Sequence, residues 1–331
     1  MSSQWNGLTP HKKEMLERAS LNETSGAVLL QTYINRTVQQ LTVRELGALA
    51  VMPRKQGMGD KEYINVRTAL DESNGGAWVT DGESLTATVG SYAQKEFAYK
   101  TLATRGQVTR FLQARGRNYG DLLAESLRSK SEDFSNSLGY TLINGNSAGA
   151  AAQMNGLLTI LNHYLGVNRF VTANAGAAPA AFSLSKLDET IDSVKGASSK
   201  ASMVIICSKA GHRELNSALQ QDQQFSDMVE IDAGFRVRSY DGIPIIQDTN
   251  VLDTYLMDST GKVIENFSTG TSTLYIVLNL DYCYMAELTP TTVMPLAKAS
   301  SQYDQYDIFW DGATVVSNVY GAAVLANCEA G

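Results

Sequence analysis

The 331-residue chain is 44% hydrophobic and 18% charged, which is the balance of an ordered globular protein and gives enough length for a sizeable core and more than one lobe. A net charge of -7 argues against a dedicated polyanion-binding surface. The three cysteines, Cys207, Cys283 and Cys328, are few and far apart, so they imply reduced thiols rather than a disulfide framework. The first residues, MSSQWNGLTPHKKEMLER, lack the apolar core of a signal peptide, and no later run approaches about 18 continuous apolar residues. The expectation is a product neither secreted by that route nor embedded in a membrane.

In chain order, residues 24–50 carry a helical apolar rhythm through Val28, Ile34, Val38, Leu41 and Leu49, broken at Pro53 and Gly57-Met58-Gly59. Alternation from Tyr63 to Leu70 predicts a strand, and DESNGGAWVTDGES (71–84) a polar tip. The return limb alternates through Leu85, Ala87 and Val89, then Phe97 and Tyr99, so the two limbs read as a long two-stranded arm. An isolated hairpin is marginally stable in water, and such an arm should lie on its own body or on a neighbouring subunit.

Leu123, Leu127, Phe134, Leu138 and Leu142 then share one helical face, with Asp121 near the start and Gly145 past the end. At 1.5 Å per residue this helix would be roughly 33 Å long. Beyond it, SLSKLDETIDSVK (183–195) reads as a helix with a capping box of Ser185 and Asp188, MVIIC (203–207) as a buried strand, and 209–219 as a helix. Asp241-Gly242 signals a hairpin, and TLYIVLNLDYCYMAEL (273–288) reads as a further strand pair before a strand-rich C-terminal third.

Chemistry is harder to find. INGNSAGAAAQMNGLL (143–158) resembles a phosphate-cradling loop in composition, but a helix precedes it and it holds no lysine, so it reads as a helix cap and turn. His11, His163 and His212 lack the spacing of a zinc site. Cys207 beside His212 and Glu214 would suit a thiol nucleophile, yet its apolar run points to an inert buried thiol. A cysteine or metal-dependent hydrolase is therefore the remote alternative, and no cofactor or metal ligand is expected. Charge is segregated instead: Asp71, Glu72, Asp81 and Glu83 crowd the tip of the arm, and Arg105, Arg110, Arg115 and Arg117 its base. These are either two solvated surfaces or complementary halves of a contact between copies.

The order of parts carries a resemblance. The N-terminal helical segment, the hairpin with WVTDGESLTATVGSYAQKEFAYKT, the long helix ending in INGN, the turn into MNGLL, MVIICSKAGHRELNSAL, GIPIIQDTNV and the terminal YDIFWDGATVVSNVYGAAVLANC follow as in the major capsid proteins of tailed bacteriophages. The resemblance implies an α+β chain of HK97-type fold. It divides the chain into an N-terminal arm (1–56), an E-loop hairpin (57–112), a P-domain spine helix and turn (113–159), an A-domain (160–285) and P-domain strands with a C-terminal return (286–331). It implies a non-enzymatic protein that self-assembles into hexamers and pentamers of an icosahedral head around double-stranded DNA. Its location would be the virion, and the host cytoplasm during assembly.

The partners implied are other copies of the chain, a portal, a separate scaffolding protein, decoration proteins, and packaged DNA in non-specific contact, with no membrane. A separate scaffold is expected because no domain-sized extension precedes the arm. Some relatives crosslink an E-loop lysine to a neighbour's asparagine, for which Lys95 or Lys100 with Asn318 are the candidates. An encapsulin-type shell holding enzyme cargo is the alternative with the same fold.

Overall fold

A computed structural model describes residues 45–69, 81, 91–116, 121–162, 164, 167–173, 179–195, 200–221, 228–231, 235–253, 256–257, 263–264, 272–296 and 302–329. The rhythm over 24–44 lies outside them. The described chain opens with a short helix α1 (Gly47–Val51) and strands β1 (Arg54–Gln56), β2 (Lys61–Ala69), β3 (Ser91–Ala98) and β4 (Lys100–Thr109). Helices α2 (Arg110–Gly116), α3 (Leu122–Asn144) and α4 (Leu157–Asn162) follow, then β5 (Phe170–Thr172), α5 (Leu184–Asp192), β6 (Met203–Cys207) and α6 (Lys209–Gln221). The remaining strands are β7 (Met228–Ile231), β8 (Phe235–Tyr240), β9 (Ile243–Gln247), β10 (Leu256–Met257), β11 (Val263–Ile264), β12 (Ser272–Asn279), β13 (Cys283–Leu296), β14 (Tyr303–Val316) and β15 (Ala322–Glu329).

The long helix forms where its apolar face requires it. The Asp121 side chain accepts from the backbone N–H groups of Leu123 and Ala124 at 3.0 and 3.3 Å, satisfying two of the orphan donors of α3. Phe134, Leu138, Leu142 and Ile143 are buried along it, while Leu123 and Leu127 nearer its start are only half-buried.

Two sheets share the core. The smaller has the order β1-β13-β14-β4 and the larger β5-β15-β12-β6-β9-β8-β7. In the larger sheet, Val204, Ile206, Leu274, Ile276 and Leu278 face a cluster with α3, α4 and the smaller sheet, while Met203, Ile205, Cys207, Tyr275 and Val277 face a second cluster with α5 and α6. Its central strands are therefore covered on both faces, and this is why β6 and β12 are buried along their whole length. The hairpin between β8 and β9 turns through Asp241 and Gly242 at φ +50° and +78°, the pair of left-handed residues that a type I′ turn requires.

Several sequence expectations change. The run 273–288 is no hairpin: β12 pairs with β15 and β6, whereas β13 pairs with β14 and β1, so the turn at 280–282 carries the chain from one sheet to the other. The return limb of the arm divides at Tyr99. β3 pairs with β2, but β4 leaves that ribbon and pairs along ten residues with β14, some 200 positions away. Of the segment 286–331, β13 and β14 lie in the smaller sheet beside α3, whereas β15 enters the larger sheet between β5 and β12. The capping box at Ser185 does not form: α5 starts after Ser183, whose hydroxyl bonds that of Ser185, and Asp188 instead accepts from Tyr240 Oη at 2.7 Å.

Candidate subunit interface

The arm forms a sheet of its own. From Lys61↔Ala98 at its root to Ala69↔Ser91, β2 and β3 form a two-stranded ribbon among the described residues. One face carries the exposed Tyr63, Asn65 and Arg67 beside Gln94, Glu96 and Tyr92, while Ile64 and Val66 on the other pack against the core. At the root, Glu62 accepts from Tyr99 Oη at 2.9 Å and from Tyr284 Oη at 3.3 Å. Burial, with the Glu62 carboxylate beside them, pushes both phenols up to about 12, so they stay donors throughout the physiological range. Lys55 Nζ lies 3.9 Å from the centroid of the Tyr284 ring, adding a cation to the same clamp. The arm is thus fixed at its base by a polar cluster that joins β2, the β3–β4 junction and β13.

The segment 143–158 is the turn out of α3. The Gly145 N–H donates to Thr141 O at 2.9 Å, and the Gly156 N–H to Gly145 O at 2.8 Å. A Cβ on Gly156 would sit 2.5 Å from Gly145 N and 2.6 Å from Ile143 O, so the loop can close only with glycine there. Asn146, Gln153 and Asn155 satisfy backbone N–H groups within the loop, and Thr159 Oγ1 donates to Gly145 O at 2.6 Å. The amides that a phosphate cradle would offer at Asn146, Ser147 and Ala148 are already bonded to side chains of the loop.

The charged residues expected to meet between copies separate on inspection. Asp71, Glu72 and Glu83 at the tip and Arg117 at the base lie outside the described residues, and Asp81 is exposed. Arg105 is committed within its own chain, its Nε and one terminal nitrogen donating to the two carboxylate oxygens of Asp307 at 2.7 and 2.8 Å. The hydrogen bond from Arg105 holds the Asp307 carboxyl below its ordinary range. The Arg115 guanidinium lies 5.1 Å from the centroid of the exposed Phe111, and Arg110 lines an open depression with Asp121 and Asp304. The basic row is therefore partly neutralised by a strand remote in sequence.

Of the crosslink candidates, Lys100 Nζ donates to Ala151 O at 2.7 Å and Lys95 Nζ lies 5.6 Å from the Tyr164 ring centroid. Asn318 caps a 3-10 turn (Val319–Gly321), its side-chain oxygen accepting from Tyr320 N at 3.0 Å. Both lysines line one cleft between the root of the arm, the 145–156 loop and β14, a grouping that linear spacing does not signal.

The thiol chemistry does not assemble. Burial pushes Cys207, Cys283 and Cys328 each up to about 12. The His212 Nδ1 contact is with Asn216 at 3.0 Å, and burial lowers the pKa of the imidazole. Among the described residues no group of three or more His, Cys, Asp or Glu side chains could hold a metal ion, and no helix is long and apolar enough to cross a membrane. His11 and His163 lie outside the described residues.

A family model described as SU10 major capsid protein matches residues 83–329, well over half of the chain. The chain belongs to that family. No curated protein sequence matches it. Among solved structures it is similar to the capsid asymmetric unit of cyanophage A-1(L), at 12% identity and TM-score 0.71 over 93% of this chain and 99% of that one. It is similar to the capsid of an empty GTA particle, at 13% identity and TM-score 0.65 over 92% and 97% of the two chains. It is also similar to the holo-SrpI encapsulin of Synechococcus elongatus PCC 7942, at 15% identity and TM-score 0.64 over 94% and 96%. At these identities the likenesses establish the fold, which is α+β and HK97-type. Membership of the capsid family, and not the fold that encapsulins share, makes this member a structural shell protein that associates with itself.

Proposed function

We propose that the chain is the major head subunit of a tailed phage, forming hexamers and pentamers of an icosahedral shell around packaged double-stranded DNA. Membership of the SU10 major capsid protein family carries this reading. The arm supports it, because a two-stranded ribbon with a polar outer face gains stability from a surface beyond its own chain. Repeated heterologous contacts of this kind close into shells when the rotation permits. Within the subunit, residues 1–56 act as the N-terminal arm, 57–112 as the E-loop, 113–159 as the spine helix and its turn, 160–285 as the A-domain and 286–331 as returning strands, with β15 contributing to the A-domain sheet. The wider partners are a portal, a separate scaffolding protein, decoration proteins and DNA held without sequence preference. Assembly takes place in the host cytoplasm and the product resides in the virion.

The test is to express the full chain, separate assemblies by sedimentation and image them by electron microscopy. Closed shells with five-fold and six-fold units are expected, and a stable monomer as the physiological form would overturn the proposal. The likeness to an encapsulin makes enzyme cargo the second reading. Shells from infected cells that enclose protein and no DNA would favour it.

A further inference from the structure

We infer that His212, Asn216 and Arg238 form an acid-sensitive catch, which holds the β7–β8 ribbon to α6 while the imidazole is neutral and lets go when the imidazole takes up a proton. This goes beyond the shell reading and does not depend on it. Strand β7 stands at the edge of the larger sheet and pairs with β8 over four positions, from Met228↔Arg238 to Ile231↔Phe235. Among the described residues β8 pairs with β9 at Ser239↔Pro244 and Tyr240↔Ile243, beside the turn. Arg238 therefore stands where β8 parts from β9 and continues with β7. From there a terminal nitrogen of its guanidinium donates to Asn216 Oδ1 on α6 at 2.7 Å. Asn216 Nδ2 in turn lies 3.0 Å from His212 Nδ1, one helical turn away.

Donor and acceptor roles fix the state of the ring. A guanidinium offers only donors, so the Asn216 oxygen faces Arg238 and its NH2 group faces His212. That NH2 also offers only donors, so Nδ1 accepts, and the imidazole is neutral with its proton on Nε2. Protonation sets a second donor on Nδ1 against the NH2 group. Turning the amide over satisfies the imidazolium but points the NH2 at the guanidinium, so one of the two contacts breaks whichever way Asn216 lies. Arg238 is exposed and has water as an alternative partner, whereas His212 is half-buried and needs an acceptor. The bond to Arg238, and with it the hold on the ribbon, is the one given up.

The surroundings keep the ring unprotonated. Burial first, and the Arg238 charge second, lower the imidazole from its ordinary value of 6.5. On α6 itself Arg213 and Glu214 follow His212, and Lys209 is paired with Glu45 at 2.9 Å. Strand β12 brings the Tyr275 phenol, which burial keeps protonated and which donates to Gly211 O at 2.9 Å. Strand β9 carries no titratable side chain, and Asp188 of α5 accepts from Tyr240 Oη. The folded chain thus binds this proton less tightly than the unfolded one. The catch is at full strength above about 6.5 and weakens as the pH falls below it.

Two mass-spectrometric measurements on the full-length protein test this from about pH 8 to about pH 5. Exchange of the imidazole C2 hydrogen titrates His212, and backbone amide exchange, corrected for the intrinsic effect of pH, follows residues 228–240. The parent should titrate below the ordinary histidine value and lose amide protection in the ribbon on acidification. His212→Gln should show no such loss. Asn216→Asp offers an acceptor to both neighbours, so it should shift the His212 titration upward and abolish the acid-induced loss of protection. Arg238→Gln, at an exposed position, replaces the guanidinium with an amide that donates or accepts, and should also shift the titration upward. A parent His212 that titrates at or above the ordinary value, or a ribbon that loses equal protection in the parent and in His212→Gln, would overturn the inference. Should Asn216→Asp fail to fold, Arg238→Gln decides alone, and a His212 titration that does not move upward in it refutes the catch.

Discussion

Replacing Gly156 with alanine should be among the most damaging small changes in this chain, although it adds a single methyl group. The added Cβ would lie 2.5 Å from Gly145 N, 2.6 Å from Ile143 O and 2.7 Å from Ile143 C. All three are backbone atoms at the end of the long helix, so no side chain can swing aside to make room. The loop would have to open, losing the Gly156 N–H to Gly145 O bond at 2.8 Å and loosening the Thr159 Oγ1 bond to the same carbonyl at 2.6 Å. Each buried polar group left without its partner costs about 1 to 3 kcal/mol, so the two together amount to about 2 to 6 kcal/mol. Gly149→Ala is the matched control, because a Cβ there meets nothing nearer than Asn146 O at 3.8 Å and should change stability by no more than about 0.5 kcal/mol. Denaturant unfolding of both variants, followed by circular dichroism before assembly, reads the difference. Equal midpoints would show that the closure of 145–156 contributes nothing to holding α3 and α4 together.

Three further outcomes follow from burial. Leu142→Ala, at a fully buried position on α3, should cost about 2 to 5 kcal/mol in the same unfolding assay and Leu127→Ala distinctly less, since Leu127 is only half-buried; the reverse order would misplace the core. Cys207, Cys283 and Cys328 should resist thiol reagents until the chain unfolds, because burial lifts each to about 12, and rapid labelling of the native protein would refute this. Asp248 is fully buried and accepts from the N–H groups of Ala48 and Asn250 at 2.8 and 2.7 Å, and desolvation raises its carboxyl above the usual 3.8. The folded state then binds the proton more tightly than the unfolded chain, so the stability this residue confers falls as pH rises through the raised value. Against the non-titrating Asp248→Asn, the parent's melting temperature should therefore improve on acidification from neutral pH towards about 4, and a parent that loses ground over that window contradicts the assignment.

What a single sequence reveals about this fold depends on how far the deciding contact lies along the chain. The long helix was legible because Asp121, the apolar face and Gly145 are all local signals, and the structure places Leu122–Asn144 between that cap and that glycine. The buried strand at MVIIC and the turn at Asp241-Gly242 were legible for the same reason. The run 273–288 misled because two adjacent strands joined by a short turn look like a hairpin whether or not they pair. One signal was available there: β12 is apolar on both faces, as a strand covered by two layers must be, whereas the outer half of β13 alternates towards solvent. The uninterrupted AAVLANC of β15 carried the same message, pointing to the larger sheet and away from the smaller one.

The candidate interface was the least legible part, and the reason is electrostatic. Charges crowded in sequence say which groups are present but not which are already paired, and pairing in a sheet is long-range. Arg105 looked available in the sequence, but β4 lies beside β14, where Asp307 stands opposite it and pairs with it. Lys95 and Lys100 stood out in the sequence only as crosslink candidates implied by the resemblance; they sit on different strands, five residues apart across the break at Tyr99, and the fold brings them to one cleft. The Glu62 clamp on Tyr99 and Tyr284 holds the root of the arm to β13, another contact between residues remote in sequence.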